Sequence, residues 1–189
     1  GSGQISVVET SISGCQANQV FLNVNVINDG DTFCQANGNS DCSANNQNEY
    51  ISSVNLEGIS NNSNCSAYTD FTDLSASLVS GNTYTISIQT AVSGVNQFTY
   101  WQGDEVAVWI DYNNNFIFEE NEERVGYVLI DDNWGNTFQF TVPENIYEGQ
   151  VNMRCRISYS DNGNTPIESC GDSQWGEVED YTINLVAEN

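Results

Sequence analysis

Between Thr83 and Ile88 every second residue is apolar: Tyr84, Ile86 and Ile88 alternate with Thr83, Thr85 and Ser87. An extended backbone places successive side chains on opposite faces, so this period of two specifies a half-buried strand. The same period recurs along the chain. Val20, Leu22, Val24 and Val26 alternate with Phe21, Asn23 and Asn25. Val106, Val108 and Ile110 line one face of another segment, with Trp109 on the opposite face, assigned to packing. Phe138, Phe140 and Val142 form a further set, ended by Pro143. Val151, Met153, Cys155, Ile157 and Tyr159 share a face, as do Tyr181, Ile183 and Leu185. Strands are also expected at Ile5–Glu9, Tyr50–Leu56 and Arg124–Ile130. No segment carries a helical period, and the strand formers Val, Ile, Thr and Tyr are abundant. Many strands separated by turn residues predict an all-β, antiparallel β-sandwich of jelly-roll type. A polar Gly/Asn/Ser-rich stretch from Asn28 to Asn48 reads as a loop or boundary. The core unit is therefore expected over 33–189, with 1–32 an N-terminal extension carrying extra strands.

Charge narrows the function. Against 26 acidic residues stand three arginines, Arg124, Arg154 and Arg156, with no lysine and no histidine, for a net charge of −23. Nucleic acid and anionic lipid are repelled and are excluded as partners. Bound cations would relieve the self-repulsion; solubility in saline surroundings is the alternative account of the bulk charge. Without histidine, Ser-His-Asp and Cys-His nucleophiles and the usual zinc sites are absent. Carboxylate-pair catalysis is formally open, but the chain is expected not to be an enzyme. No apolar run is long enough to span a membrane. Six cysteines, at 15, 34, 42, 65, 155 and 170, occur without a C-x-x-C pair. They predict up to three disulfides formed in an oxidising compartment, with fifteen possible connectivities. The opening Gly1-Ser2-Gly3 reads as a cloning scar and no signal peptide is seen. The expectation is a monomeric module from a longer secreted, extracellular or cell-surface protein.

The sharpest local pattern runs from Asp111 to Glu122. Asp111, Asn113 and Asn115 fall at relative positions 1, 3 and 5, Ile117 offers a backbone carbonyl at 7, and Glu119 and Glu122 fall at 9 and 12. Calcium takes six to eight oxygen ligands, and this spacing wraps a loop around one ion. Phe116 stands where such loops favour glycine. The competing reading is an Asn-rich hairpin turn without metal. For ligand contact the candidates are Trp101, Tyr112, Trp134 and Trp175, whose rings can stack on sugar faces while neighbouring polar groups bond the hydroxyls. Arg154 and Arg156 would add a basic patch for charged glycans. The alternative for each ring is that it covers the edge of the core.

Trp175-Gly-Glu-Val-Glu-Asp-Tyr181 resembles the motif that names the GEVED domain of secreted, Bacteroidetes-type bacterial proteins. The resemblance extends over about 33–187. Phe33-Cys34 is similar to the family's opening pair, and Tyr50-Ile-Ser-Ser-Val54 to its first strand. Asn61-Asn-Ser63 and Tyr68-Thr-Asp-Phe-Thr72 follow in order. Val108-Trp-Ile-Asp-Tyr-Asn-Asn-Asn-Phe-Ile-Phe118 matches a loop in which Asn115-Phe116 replaces Asp-Gly. Phe140-Thr-Val-Pro143, Met153-Arg-Cys-Arg156 and Ser169-Cys-Gly171 complete the series. The resemblance implies a β-sandwich in multidomain secreted proteins, beside peptidases, glycosidases or adhesins and often routed through type IX secretion. It implies no catalytic activity. Its pattern pairs Cys34 with Cys170; Cys42 and Cys65 look like an extra pair, which leaves Cys15 with Cys155. Along the motif strand, Glu177, Glu179 and Tyr181 share one face and Val178, Asp180 and Thr182 the other. Acids facing Arg154 and Arg156 across strands are expected to fix register; an intermediate reading gives Glu177 or Asp180 to a calcium shell. Taken together, the expectation is a calcium-binding carbohydrate-binding module that targets an enzyme to extracellular polysaccharide. The alternative is an adhesion module that holds a secreted peptidase on insoluble protein.

Overall fold

The computed structural model describes residues 2–7, 20–25, 32–39, 41–43, 48–94, 103–130, 135–159 and 166–188, the first two stretches as backbone. The chain divides into two compact units, Gly1–Thr32 and Phe33–Asn189. In the first, β1 (Ser2–Val7) and β2 (Val20–Asn25) pair antiparallel, with Ser2 opposite Asn25 and Val7 opposite Val20. Strand β1 begins ahead of the Ile5 start expected from apolar alternation, because ladder pairing needs no apolar side chain at Ser2 or Gly3.

The second unit contains β3 (Ala36–Asn37), β4 (Glu49–Leu56), β5 (Ile59–Asn62), β6 (Tyr68–Val79), β7 (Thr83–Val92) and β8 (Asp104–Ile110). It continues with β9 (Arg124–Ile130), β10 (Gly135–Thr141), β11 (Gly149–Tyr159), β12 (Gly171–Asp172) and β13 (Glu177–Val186). No helix occurs among the described residues. Two sheets form the sandwich, one in the order β10-β7-β4-β5 and one in the order β6-β13-β11-β8-β9. Neighbours in both run antiparallel except β13 and β6, which are parallel, with a register shift between Tyr181 and Thr182. The short strands β3 and β12 form a separate parallel pair.

The main core lies between the sheets. Ile51, Val54, Ile86 and Ile88 of one sheet pack with Val106, Val108, Ile110, Met153, Ile157 and Ile183 of the other, and all are essentially inaccessible. These are the alternating positions read from the sequence. A smaller cluster of Ala107, Trp109, Phe118 and Ile167, joined by Phe33, involves the other face of β8. Trp109 is therefore a packing residue, fully buried.

Two disulfides form, Cys34–Cys170 across 136 residues and Cys42–Cys65 across 23. Closing spans of these lengths removes about 5 and about 3.4 kcal/mol of unfolded-chain entropy in the loop-closure picture. The expected Cys15–Cys155 bridge is corrected: Cys155 is a free thiol. It sits between Met153 and Ile157 on the inward face of β11, and a bridging partner would have to displace core side chains. Cys15 lies outside the described residues.

Candidate functional site

Arg154 and Arg156 stand on the face of β11 opposite the main core. Arg154 is in register with Asp180 on β13. Its Nε donates to Asp180 Oδ1 at 2.8 Å and its Nη2 to Oδ2 at 2.7 Å. Its Nη1 donates to the carbonyls of Cys34 at 3.0 Å and Ser169 at 2.9 Å, and its guanidinium lies 5.1 Å from the centre of the Phe118 ring. Arg156 is in register with Val178 and so meets no acid across the strand. Its Nη1 donates to the carbonyls of Glu168 (2.7 Å) and Cys170 (2.8 Å), and its Nη2 to that of Gly171 (2.8 Å). Two guanidinium groups thus gather four consecutive carbonyls, 168–171. Only Gly171 of this run belongs to a strand, the two-residue β12, so these carbonyls need donors from elsewhere; the planar five-donor fork of arginine supplies them. The Cys34–Cys170 disulfide ties the same segment. The expected acid–arginine pairing therefore holds for Asp180 with Arg154 and is corrected for Arg156.

The acidic motif divides by face. Asp180 takes Arg154 and also accepts the Tyr68 hydroxyl at 3.1 Å. Glu177 and Glu179 point between the sheets. Glu177 Oε2 accepts the Ile51 amide at 3.0 Å, where the register of β4 shifts between Ile51 and Ser53. Ile51 keeps its place opposite Thr90, while the β5 ladder on the other edge of β4 starts only at Ser53, and the carboxyl takes the amide. Burial, then the charge of Glu179, push Glu177 up to about 9. Glu179 accepts the Tyr181 hydroxyl at 2.7 Å, and burial raises it above the ordinary carboxylate range. Gly176 has φ +99, and a Cβ there would lie 2.0 Å from the carbonyl oxygen of Ile157. Its amide donates to Asn48 Oδ1 at 2.9 Å. Asp180 is thus committed to Arg154, whereas Glu177 keeps one buried oxygen, Oε1, without a hydrogen-bond partner among the described residues.

Residues held by Arg156 and the disulfide wall a cavity of about 540 Å³ at the end of β11, lined by Arg156, Tyr159, Glu168, Asp172, Gln174 and Trp175 among others. That volume falls within the usual range for small-ligand sites. Tyr159 is 39% exposed and Trp175 half-buried. Burial and the charge of Arg154 lower Arg156 from its ordinary value, while Asp172 and Glu168 act in the opposite direction. The cavity therefore combines aromatic rings with hydrogen-bonding groups of both kinds.

The Asp111 loop connects β8 to β9. Asp111 is fully buried, and its two oxygens accept the amides of Asn115 and Phe116, each at 3.1 Å. Asn115 Oδ1 accepts the Ile117 amide at 2.8 Å, and its Nδ2 donates to Glu119 Oε1 at 2.6 Å. Asn113 Nδ2 makes a longer contact to Glu119 Oε2 at 3.4 Å. From the far end of the loop, buried Glu123 accepts the amides of Tyr112 at 2.8 Å and Glu119 at 3.2 Å. Burial and the adjoining Glu119 push Glu123 up to about 8. Phe116 adopts φ 67, the left-handed conformation for which glycine is favoured. Its ring is held against Phe33 with centroids 5.4 Å apart.

The expected metal ligands divide accordingly. Asp111, Asn115 and Glu119 are joined by hydrogen bonds, with Asn113 beside them. Ile117 is 59% exposed. Glu122 is corrected: its side chain is exposed, and the carboxylate turned into the loop is Glu123. Its burial was not readable from spacing alone, because position 12 and position 13 are both Glu. The donors are all oxygen, which suits a hard cation, and each carboxylate oxygen keeps lone-pair capacity beyond the bond it accepts. Among the described residues no group of three or more His, Cys, Asp or Glu side chains is arranged as a metal site.

Of the expected ligand-contact residues, Arg156 and Trp175 come together in the cavity. Tyr112 is corrected to a core residue, 5% exposed, and Arg154 to an interior ion pair, 2% exposed. Trp101 and Trp134 lie outside the described residues. Alternation along β11 groups Tyr159 with the core face; its place at the end of the strand puts it on the cavity instead.

No curated protein matches the chain. Among solved structures, the CARDB domain of a Pyrococcus furiosus protein, crystallised in complex with di-metal ions, is similar at 11% identity. The match covers 74% of this chain and 86% of that one, with a TM-score of 0.36. The family model described as GEVED domain matches residues 105–184, which takes in β8 from its second residue, the Asp111 loop, both interior arginines, the cavity segment and nearly all of β13. This chain carries a GEVED domain.

Proposed function

We propose that this protein is a non-catalytic binding module of a secreted multidomain protein. Its ligand is an extracellular polysaccharide, received in the cavity beside Trp175. The observation that carries this reading is the joining, in about 540 Å³, of the Trp175 and Tyr159 rings with Asp172, Gln174 and Glu168. Rings with flanking polar groups suit a ligand that is apolar on its faces and hydroxylated at its edges. Neutral glycans fit best, since Glu168 and Asp172 repel anionic ones. In this reading calcium stiffens the Asp111 loop, with Asp111, Asn115, Glu119 and Glu123 as oxygen donors. Secretion is supported by two disulfides, and the non-catalytic role by a chain without histidine or lysine.

The test is affinity electrophoresis and calorimetry against a panel of neutral and acidic polysaccharides, in calcium and in chelator. Trp175→Ala should weaken glycan binding at least tenfold while leaving the melting temperature within a few degrees. Unchanged binding by that variant would remove the cavity as the site. Retention on insoluble protein but on no polysaccharide would favour the adhesion module instead.

A further inference from the structure

At the end of the sandwich where β4 and β8 begin, Glu49 and Asp104 enter the space between the sheets. Each lies two residues before a core position on its own strand, Ile51 and Val106, so alternation turns both inward. Glu49 is 5% exposed and Asp104 3%. Glu49 Oε2 and Asp104 Oδ1 are fully buried and have no hydrogen-bond partner among the described residues. The charge of Glu49 acts on Asp104, second to the burial that pushes Asp104 up to about 8, so the two carboxyls are electrostatic neighbours.

No cationic side chain is left to neutralise them. The chain has three arginines and neither lysine nor histidine. Arg124 pairs with Glu120 and Arg154 with Asp180, while Arg156 is occupied by the carbonyls of Glu168, Cys170 and Gly171. Two buried carboxyls with open oxygens and no counter-charge hold either protons or a cation.

We propose that Glu49 and Asp104 form a site for a hard divalent cation bridging the two sheets. Oxygen-only donors select calcium or magnesium over softer metals. The site is separate from the Asp111 loop: Asp104 and Asp111 stand at opposite ends of β8, roughly 20 Å apart at the rise of a strand.

The experiment uses calcium chloride and magnesium chloride as probes, with calorimetry and thermal unfolding in metal and in chelator. In an Asp111→Asn/Glu119→Gln background, one equivalent of cation should still bind. At a hundredfold excess over its dissociation constant, that cation should raise the melting temperature by about 5–10 °C. Adding Glu49→Gln and Asp104→Asn should abolish both effects. The quadruple variant should remain folded in chelator, since isosteric amides remove the buried charges without opening a hole; Glu49→Gln alone serves as the gentler variant. The proposal is overturned if the loop background binds neither ion and melts identically in metal and chelator. It is overturned too if Glu49→Gln/Asp104→Asn leaves the second equivalent in place. If the wild type binds one equivalent, lost only with the loop variant, this site fails and the loop site stands. If that equivalent is lost only with Glu49→Gln/Asp104→Asn, the loop site fails and this one stands.

Discussion

Replacing Asp180 with Asn probes the last letter of the acidic motif. The change preserves shape and one acceptor but removes the charge opposite Arg154. The side chains of the two residues are 3% and 4% exposed, so water cannot take over the carboxylate's part. Stranding one member of such a buried pair costs about 3–5 kcal/mol. The carbonyls of Cys34 and Ser169 still receive Arg154 Nη1, which places the expected loss near the lower end, about 3 kcal/mol. A domain of this size holds about 5–15 kcal/mol in all. With a urea slope of about 2 kcal/mol/M, the unfolding midpoint should fall by about 1.5 M. Urea titration under oxidising conditions, followed by tryptophan fluorescence, reads this directly. The companion double variant, Arg154→Met/Asp180→Leu, avoids burying charge but strands the carbonyls of Cys34 and Ser169, so it should itself lose about 1–3 kcal/mol. A midpoint for Asp180→Asn within about 0.2 M of wild type would show that Arg154 does not depend on its partner, and the argument would fail.

Three further perturbations test other parts of the same unit. Gly176→Ala should destabilise by about 3 kcal/mol or more, since a Cβ would meet backbone 2.0 Å away. Gly171→Ala, at φ +82 with nothing within 4 Å, should cost only about 1 kcal/mol of backbone strain; equal melting temperatures for the two would refute the steric argument. Glu177 is raised to about 9 from 4.5, so its contribution is complete below about pH 4.5 and is lost as pH rises toward 9. Glu177→Gln should flatten the fall of stability across that window by about 1.4 kcal/mol per pH unit, measured by denaturant unfolding in chelator from pH 5 to 9; an unchanged slope would contradict it. Phe116→Gly should be near neutral in stability, relief of about 1 kcal/mol of left-handed strain offsetting a ring contact of about the same size. A loss above about 2 kcal/mol would show that the ring contact dominates.

The strands legible in the sequence are those whose two faces differ. β7, β8, β11 and β13 alternate because one face enters the inter-sheet core. β6 gave no such signal, although it runs over twelve residues. It is a sheet edge, and only Ala76 and Leu78 on it are fully buried; its first half is polar and pairs by backbone with β13. Cys155 shows the opposite effect: its position in an alternating set already placed it in the core, and alternation was the stronger guide than an even count of cysteines. Within the Asp111 loop, spacing located the donors to within one residue, but choosing between Glu122 and Glu123 needs the backbone path. For Arg156, face assignment was correct and partner assignment was not. A register shift of two residues separates Asp180 from Val178 as the partner of Arg156, and a strand pattern does not carry register between distant segments.

The placement of the arginines bears on what this module can bind. Arg154 and Arg156 are interior, and Arg124, the most exposed, is within 2.9 Å of Glu120. Almost all positive charge is therefore neutralised locally or turned toward backbone carbonyls, while most of the 26 acids have no such partner. Long-range attraction of an anionic polymer is absent, so under the proposed function recognition would rest on short-range contacts within the cavity. There Arg156 acts as a positioning residue: by holding the carbonyls of 168, 170 and 171 it sets the wall on which Asp172 and Trp175 follow. Lysine at this position would keep the charge but not the three-carbonyl fork. The repeated arginine, the Ser-Cys-Gly segment and the Gly-Glu-Val-Glu-Asp strand are remote in sequence, yet they meet around these carbonyls. Their joint presence follows from the need to build one rigid wall out of a segment whose own ladder is only the two-residue pairing of β12 with β3.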